Sequence, residues 1–373
     1  MTRRERLMAT LRGQPVDRPA VSFYEIGGFA VDPTDPDPFN IYNSPDWQPL
    51  LRLAEEQTDL IWMRSPVIHR APNPAVTTET FLEGAARFTR TTIRIGGRTL
   101  TSLTRRDAGV DTVWTLERLL KNREDVLAYL ELPEEHEEIS VDNLRAEETR
   151  LGERGIVMVD TPDPLCMAAG LFAMEDYTVL AFTETALFHR LLERFAGVLQ
   201  RRTALVAEQF PGHLWRIYGP EYAAEPFLPT RLFEEYVVRY TGPMIATIHR
   251  WGGFARVHCH GRVRRLLPYF VAMGADATDP LEPPPQGDVP LAEVRREYGR
   301  DLVLFGNLEI TDIENLPPAQ FEQVVAQTLR DGTSGPGKGF VLMPSAAPYG
   351  RTISPTTLAN YETMVRLIEA AAS

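Results

Sequence analysis

Cysteine, contiguous positive charge and long apolar runs are all scarce in this chain, and each scarcity closes off a class of function. Only Cys166 and Cys259 occur in 373 residues, far apart, so no disulfide framework is signalled. A reducing cytoplasm is the expected setting. Lysine and arginine together number 39 against 51 acidic residues, a formal charge of −12, and no basic stripe offsets it. Nucleic acid and anionic membrane are therefore not expected partners. No stretch approaches the roughly 18 apolar residues that span a bilayer. The opening Met1-Thr2-Arg3-Arg4-Glu5-Arg6 leads into a short amphipathic helix, so no secretory signal is expected. The first-turn glycine fingerprint of a dinucleotide site is also missing.

What is present is a chain with 43% hydrophobic residues, long enough for one large α/β domain or two ordinary ones. Thr2 caps a first helix, with Glu5 as its capping-box partner. Strands are predicted over 20–24 and 60–63, with a helix over 47–57 between them. From Thr77 to Leu103 threonines alternate with apolar residues around Gly96-Gly97, which reads as an antiparallel hairpin or meander. The second half is regular. Strands over 156–160, 214–218, 254–258, 275–279, 302–305 and 340–343 alternate with helical patterns ending at 355–371. Such spacing makes parallel βαβ units, and about eight of them suggest a (β/α)8 barrel. The expected organisation is one domain over 1–373, with a β-rich insertion at about 76–104.

In a barrel, residues just past each strand's C-terminal end face the active site. Those positions carry Tyr24 and Glu25, Asp160 and Asp163, Glu221 and Glu225, His258 and His260, Asp279 and Glu282, Asn307 and Glu309, and Ser345. The set is rich in carboxylates and imidazoles. Its centre is Phe254-Ala255-Arg256-Val257-His258-Cys259-His260-Gly261. Alternation puts His258 and His260 on one side and Cys259 on the other. Two imidazoles at i and i+2 can converge on one metal ion, or can simply hydrogen-bond at a strand mouth. Cys259 reads as a buried apolar residue, and Asp163 as a helix cap.

Several stretches, in order, resemble the uroporphyrinogen decarboxylase superfamily. They are Arg3-Arg4-Glu5-Arg6 with Leu11-Arg12-Gly13-Gln14-Pro15-Val16-Asp17-Arg18-Pro19, then Val257-His258-Cys259-His260-Gly261 followed by Leu266-Leu267-Pro268. Gly274-Ala275-Asp276-Ala277, Pro280-Leu281-Glu282 and Gly306-Asn307-Leu308-Glu309 complete the series. The resemblance implies a (β/α)8 barrel and an enzyme, and two branches are open. One resembles the methylcobalamin:coenzyme M methyltransferases. Those bind a thiol on zinc and pass it a methyl group from a corrinoid. Their His-x-Cys pair falls here on His258 and His260, their distant cysteine on Ser345, and their upstream acid on Glu225. This implies Glu225, His258 and His260 as ligands for zinc or iron, with a corrinoid protein as partner.

The other branch is a cofactor-free decarboxylase acting on a small acid or tetrapyrrole. The loop Phe23-Tyr24-Glu25-Ile26-Gly27-Gly28 lacks that branch's substrate-holding arginines. In either case Tyr24, Glu25 and Asp160 are candidate catalytic residues. Glu282, Asn307, Ser345 and Tyr349 are candidates for contact with a small-molecule substrate. Barrels of this kind often pair, so a homodimer is compatible with the reading.

Overall fold

The computed structural model describes residues 1–371 apart from 25, 30, 33 and 135. Eight parallel strands follow one another in chain order around a single sheet. They are β1 (Ala20–Val21), β2 (Leu60–Arg64), β3 (Gly155–Pro162), β4 (Leu214–Tyr218), β5 (Phe254–His258), β6 (Ala277–Asp279), β7 (Val303–Leu308) and β8 (Phe340–Pro344). From β2 to β8 each strand pairs with the next, and β8 returns to β1 with Ala20 opposite Val341. One residue closes the remaining seam. The Asp59 N–H donates to the Val21 carbonyl at 2.7 Å, and the Asp59 carboxylate accepts the Val21 N–H at 2.9 Å. This is a (β/α)8 barrel with an antiparallel insertion.

The first helix, Arg3–Leu11, starts on the expected capping box, with Thr2 and Glu5 bonded reciprocally. Its Leu7 and Leu11 pack against Ala20, Ile61, Ile156, Met158, Leu214, Val303 and Val341, which fill the barrel interior. Alternation sends these side chains inward and their neighbours outward onto the helices. The floor is therefore apolar and stoppered, which leaves the C-terminal end of the strands for chemistry.

The insertion lies between β2 and β3. Its four-stranded antiparallel sheet comprises Val76–Glu83, Ala86–Ile95, Arg98–Asp107 and Val113–Glu117, so it runs beyond the expected limit near 104. Gly96 and Gly97 have φ of +56° and +74°, the left-handed pair that a two-residue hairpin turn of this twist needs. Nothing lies near the place of a Cβ on Gly97, so only backbone conformation opposes a side chain there. Gly97→Val is expected to cost about 1–2 kcal/mol locally. Faster amide exchange across Ala86–Asp107, with the barrel amides unchanged, would register it.

Two features escaped the sequence pattern. Val67–Arg70 pairs with Glu137–Ser140 in a separate two-stranded sheet, and Val113–Glu117 forms the fourth insertion strand. Both are largely solvated on both faces, so neither has an apolar face to produce alternation. The first strand, expected over 20–24, is only two residues long. Tyr24 takes φ +57° and leaves the sheet. Among the described residues, no helix is long and apolar enough to cross a membrane.

Candidate active site at the barrel mouth

Arginine is unwelcome inside a barrel strand, yet β4 and β5 each carry one facing inward. Arg216 and Arg256 stand opposite each other in register, and both are buried. A buried guanidinium needs a carboxylate. Arg216 Nε donates to Asp160 Oδ1 on β3 at 2.7 Å, and Arg256 Nε lies 3.0 Å from Asp279 Oδ1 on β6. These two pairs form the polar layer above the apolar floor.

Tyr24 and His258 join the pairs. Arg216 Nη1 donates to the Tyr24 hydroxyl, which stands 3.4 Å from His258 Nε2. His258 Nδ1 stands 2.7 Å from Asp279 Oδ2. Burial alone would raise the Asp279 pKa, but Arg256 and His258 outweigh it and hold it at about 2. Asp279 is thus a carboxylate and can only accept. Nδ1 must therefore carry a proton, and the Tyr24 hydroxyl stands against Nε2. The network assigns the tautomer.

A second dyad sits one step nearer solvent. His260 lies beyond the end of β5, with its ring 4.6 Å from that of His258, edge to face. Its Nδ1 is 2.8 Å from Glu282 Oε1, and Glu282 Oε2 accepts the Gly261 N–H. Burial would lower the His260 pKa. The Glu282 bond and charge, helped by Glu221 and Asp279, reverse that and raise it. For Glu282 the balance is the opposite: burial would raise its pKa, and His260 brings it down. Two imidazoles in unlike settings, one locked to a buried carboxylate and a tyrosine and the other inclined to stay cationic, therefore lie side by side.

The other expected residues divide clearly. Asp160 belongs to the network as the partner of Arg216. Ser345 Oγ donates to Glu309 Oε2 at 3.2 Å and accepts the Ile310 N–H, tying the ends of β7 and β8 together. Asn307 is buried and donates to the Leu281 carbonyl at 3.0 Å, which makes it a brace for the loop that carries Glu282. Tyr349 is exposed, and its carbonyl accepts from the Asp111 N–H of the insertion. Glu25 lies outside the described residues. Asp163 caps the helix Pro164–Ala169 as expected, and Cys259 packs in the layer between sheet and helices.

Glu225 does not join the histidines. Its Oε1 lies 3.3 Å from Arg265 and 3.4 Å from Thr230. Among the described residues, no group of three or more His, Cys, Asp and Glu side chains is set to hold a metal ion. The donor set implied by the resemblance is thus assembled only as far as His258 and His260, and no chemical step can be derived through a metal from it.

Arg216 and Arg256 are site residues that strand-end position alone does not reveal, although the sequence carries a signal for them. In Leu214-Trp215-Arg216-Ile217-Tyr218 a lone charge interrupts an apolar strand on the same parity as Leu214, an inward position. Asp279 and Glu309 lie among the strand-end residues, but their roles come only from the partners they meet in space.

A model of the family described as uroporphyrinogen decarboxylase (URO-D) matches residues 119–371, more than half of the chain. No curated protein matches. Among solved structures, a methyltransferase from Methanosarcina mazei is similar over 100% of both chains, with a TM-score of 0.62 and 12% identity. At that identity the likeness speaks for the fold. A D-psicose 3-epimerase, solved in the presence of D-fructose, is similar over 62% of this chain and 81% of its own, with a TM-score of 0.34 and 10% identity.

Proposed function

The chain belongs to the uroporphyrinogen decarboxylase family, and we propose that it is an acid–base enzyme working in the manner of a cofactor-free carboxy-lyase on a small acid. One observation carries the reading. Two imidazoles stand 4.6 Å apart at the barrel mouth, each with its Nδ1 bound to a carboxylate and the two environments unlike. Pairs of titratable groups driven apart in this way divide the roles of acid and base.

In such a reaction the bond between the substrate carbon and its carboxylate breaks. Carbon dioxide leaves, and the electron pair stays on carbon. His260 then delivers its Nε2 proton to that carbon and is reprotonated from solvent. His258, oriented by Asp279 and bonded to Tyr24, takes a proton from a substrate hydroxyl or N–H before carbon dioxide leaves and returns it to the same atom once the carbon has been protonated. The sign of the pH dependence follows. His260 must be cationic, and its pKa is raised, so activity falls on the alkaline side only above the ordinary histidine range. Glu282→Gln removes the charge responsible. That limb is expected to move to lower pH, and a limb that stays in place would remove His260 as the acid.

A second reading is favoured by the same Nδ1–carboxylate bonds, because metal-bound imidazoles are commonly oriented in this way. It is zinc- or iron-dependent methyl transfer, with a corrinoid protein as partner and His258 and His260 as ligands. Elemental analysis of protein purified without chelator or histidine tag separates the two. The acid–base reading expects no stoichiometric metal. Near-stoichiometric zinc or iron, lost in a His258→Ala/His260→Ala variant, would replace it with the second.

A further inference from the structure

An acid as substrate raises a problem that the mouth itself must solve, because both guanidiniums inside the barrel are already engaged by carboxylates. The ordinary cradle for an anionic group is therefore spent. At the end of β7, two strands around the barrel from the histidines, stands a group with one unused valence. Glu309 directly follows β7, is 7% exposed, and has Oε2 held by Ser345. Its Oε1 is buried without a hydrogen-bond partner among the described residues. Buried polar atoms without a partner are rare and call for an explanation.

An ionised Glu309 would leave a bare negative oxygen in a buried place, with the Glu282 carboxylate acting on it and no cation bonded to it. A neutral Glu309 instead has a hydroxyl to offer. We infer that Glu309 works as a carboxylic acid rather than a carboxylate, and that its Oε1 hydroxyl donates to a carboxylate oxygen of the substrate. This is a recognition role, with Ser345 as the positioning residue. A neutral acid can serve where another arginine would bring a second buried charge. The groups facing Glu309 are Glu282 from the loop after β6, His260 from beyond β5, Asp312 on the helix that Glu309 precedes and Ser345 from just past β8. Burial, and after it the Glu282 charge, push its pKa up to about 7, against the Ser345 hydrogen bond and, more weakly, His260, both of which favour the carboxylate.

The inference rests on the acid–base reading, and its test is separate. Malonate, a small dicarboxylate, serves as the probe, with affinity measured for wild type and Glu309→Gln between about pH 6 and about pH 8. Glutamine keeps an N–H donor at every pH, whereas Glu309 loses its proton across this range. Because His260 also titrates nearby, the readout is the ratio of the two affinities. That ratio should shift about tenfold against wild type as pH rises. A constant ratio, or no malonate binding to either protein, overturns the inference.

If Glu309→Gln does not fold, wild type labelled with [δ-13C]glutamate carries the test. One glutamate should titrate near neutrality and move to higher pH when malonate is added. No such resonance would be equally fatal. Zinc in the purified protein would sink the acid–base reading, whereas a constant malonate ratio sinks only the Glu309 assignment.

Discussion

Asp59→Ala is expected to lower the free energy of unfolding by about 3–5 kcal/mol, the cost of removing one partner from a buried ion pair. The residue is fully buried, and four contacts depend on it. Its two carboxylate oxygens take Arg6 at 2.6 Å and Arg18 at 2.7 Å. The Val21 N–H makes the third contact, and Asp59's own N–H to Val21 the fourth, which alone survives truncation. Arg6 would keep Asp17, but its second nitrogen would be stranded beneath the barrel. Seven of the eight seams are strand ladders, whereas the seam between β1 and β2 depends on this side chain. Urea unfolding should show a lower midpoint at similar slope. Arg296→Ala, which breaks an exposed pair with Glu297, is a fair control and should cost less than about 1 kcal/mol. Equal effects would mean that the seam closes without Asp59.

The second large effect concerns chemistry. On any substrate that the wild type turns over, His258→Ala is expected to lower kcat by about 10²–10⁴, the usual contribution of a positioned acid or base. Tyr24→Phe leaves His258 and Asp279 paired and removes only the hydroxyl between Arg216 and Nε2. Its effect should be roughly tenfold, the worth of one charge-assisted hydrogen bond. Steady-state kinetics on both variants, with thermal melts to confirm folding, measure the difference. A His258→Ala enzyme that keeps wild-type kcat would exclude the imidazole from the reaction.

Much of this was legible because a barrel repeats one physical solution eight times. An inward apolar residue, an outward apolar residue and a helix to cover the latter leave a regular trace, so 214–218 was found to the residue. His258 and His260 were legible for the same reason, through strand parity and position at the strand end. Parity failed where burial failed, in the solvated strands of the insertion and in Val67–Arg70.

The site's electrostatics were harder to read, since pairing crosses between strands. Nothing near Arg216 in sequence announces Asp160, and nothing near His258 announces Asp279. Glu225 shows the limit of positional likeness. It lies seven residues beyond the end of β4, past the turn Pro220–Ala223, where it meets Arg265 on the rim. Glu309 was visible only as one acid among many, because what marks it is three-dimensional: a buried oxygen without a hydrogen-bond partner, on an acid with no cation bonded to it.

The most direct test of the central claim, that His258 and His260 form an unlike acid–base pair, is long-range 1H–15N NMR of the imidazoles in metal-free protein across the neutral range. The account predicts that His258 keeps a proton on Nδ1, the atom bonded to Asp279. It also predicts that His260 stays doubly protonated to a pH above that of an ordinary histidine. A His258 protonated on Nε2 instead, or a His260 that titrates at or below the ordinary value, would contradict it.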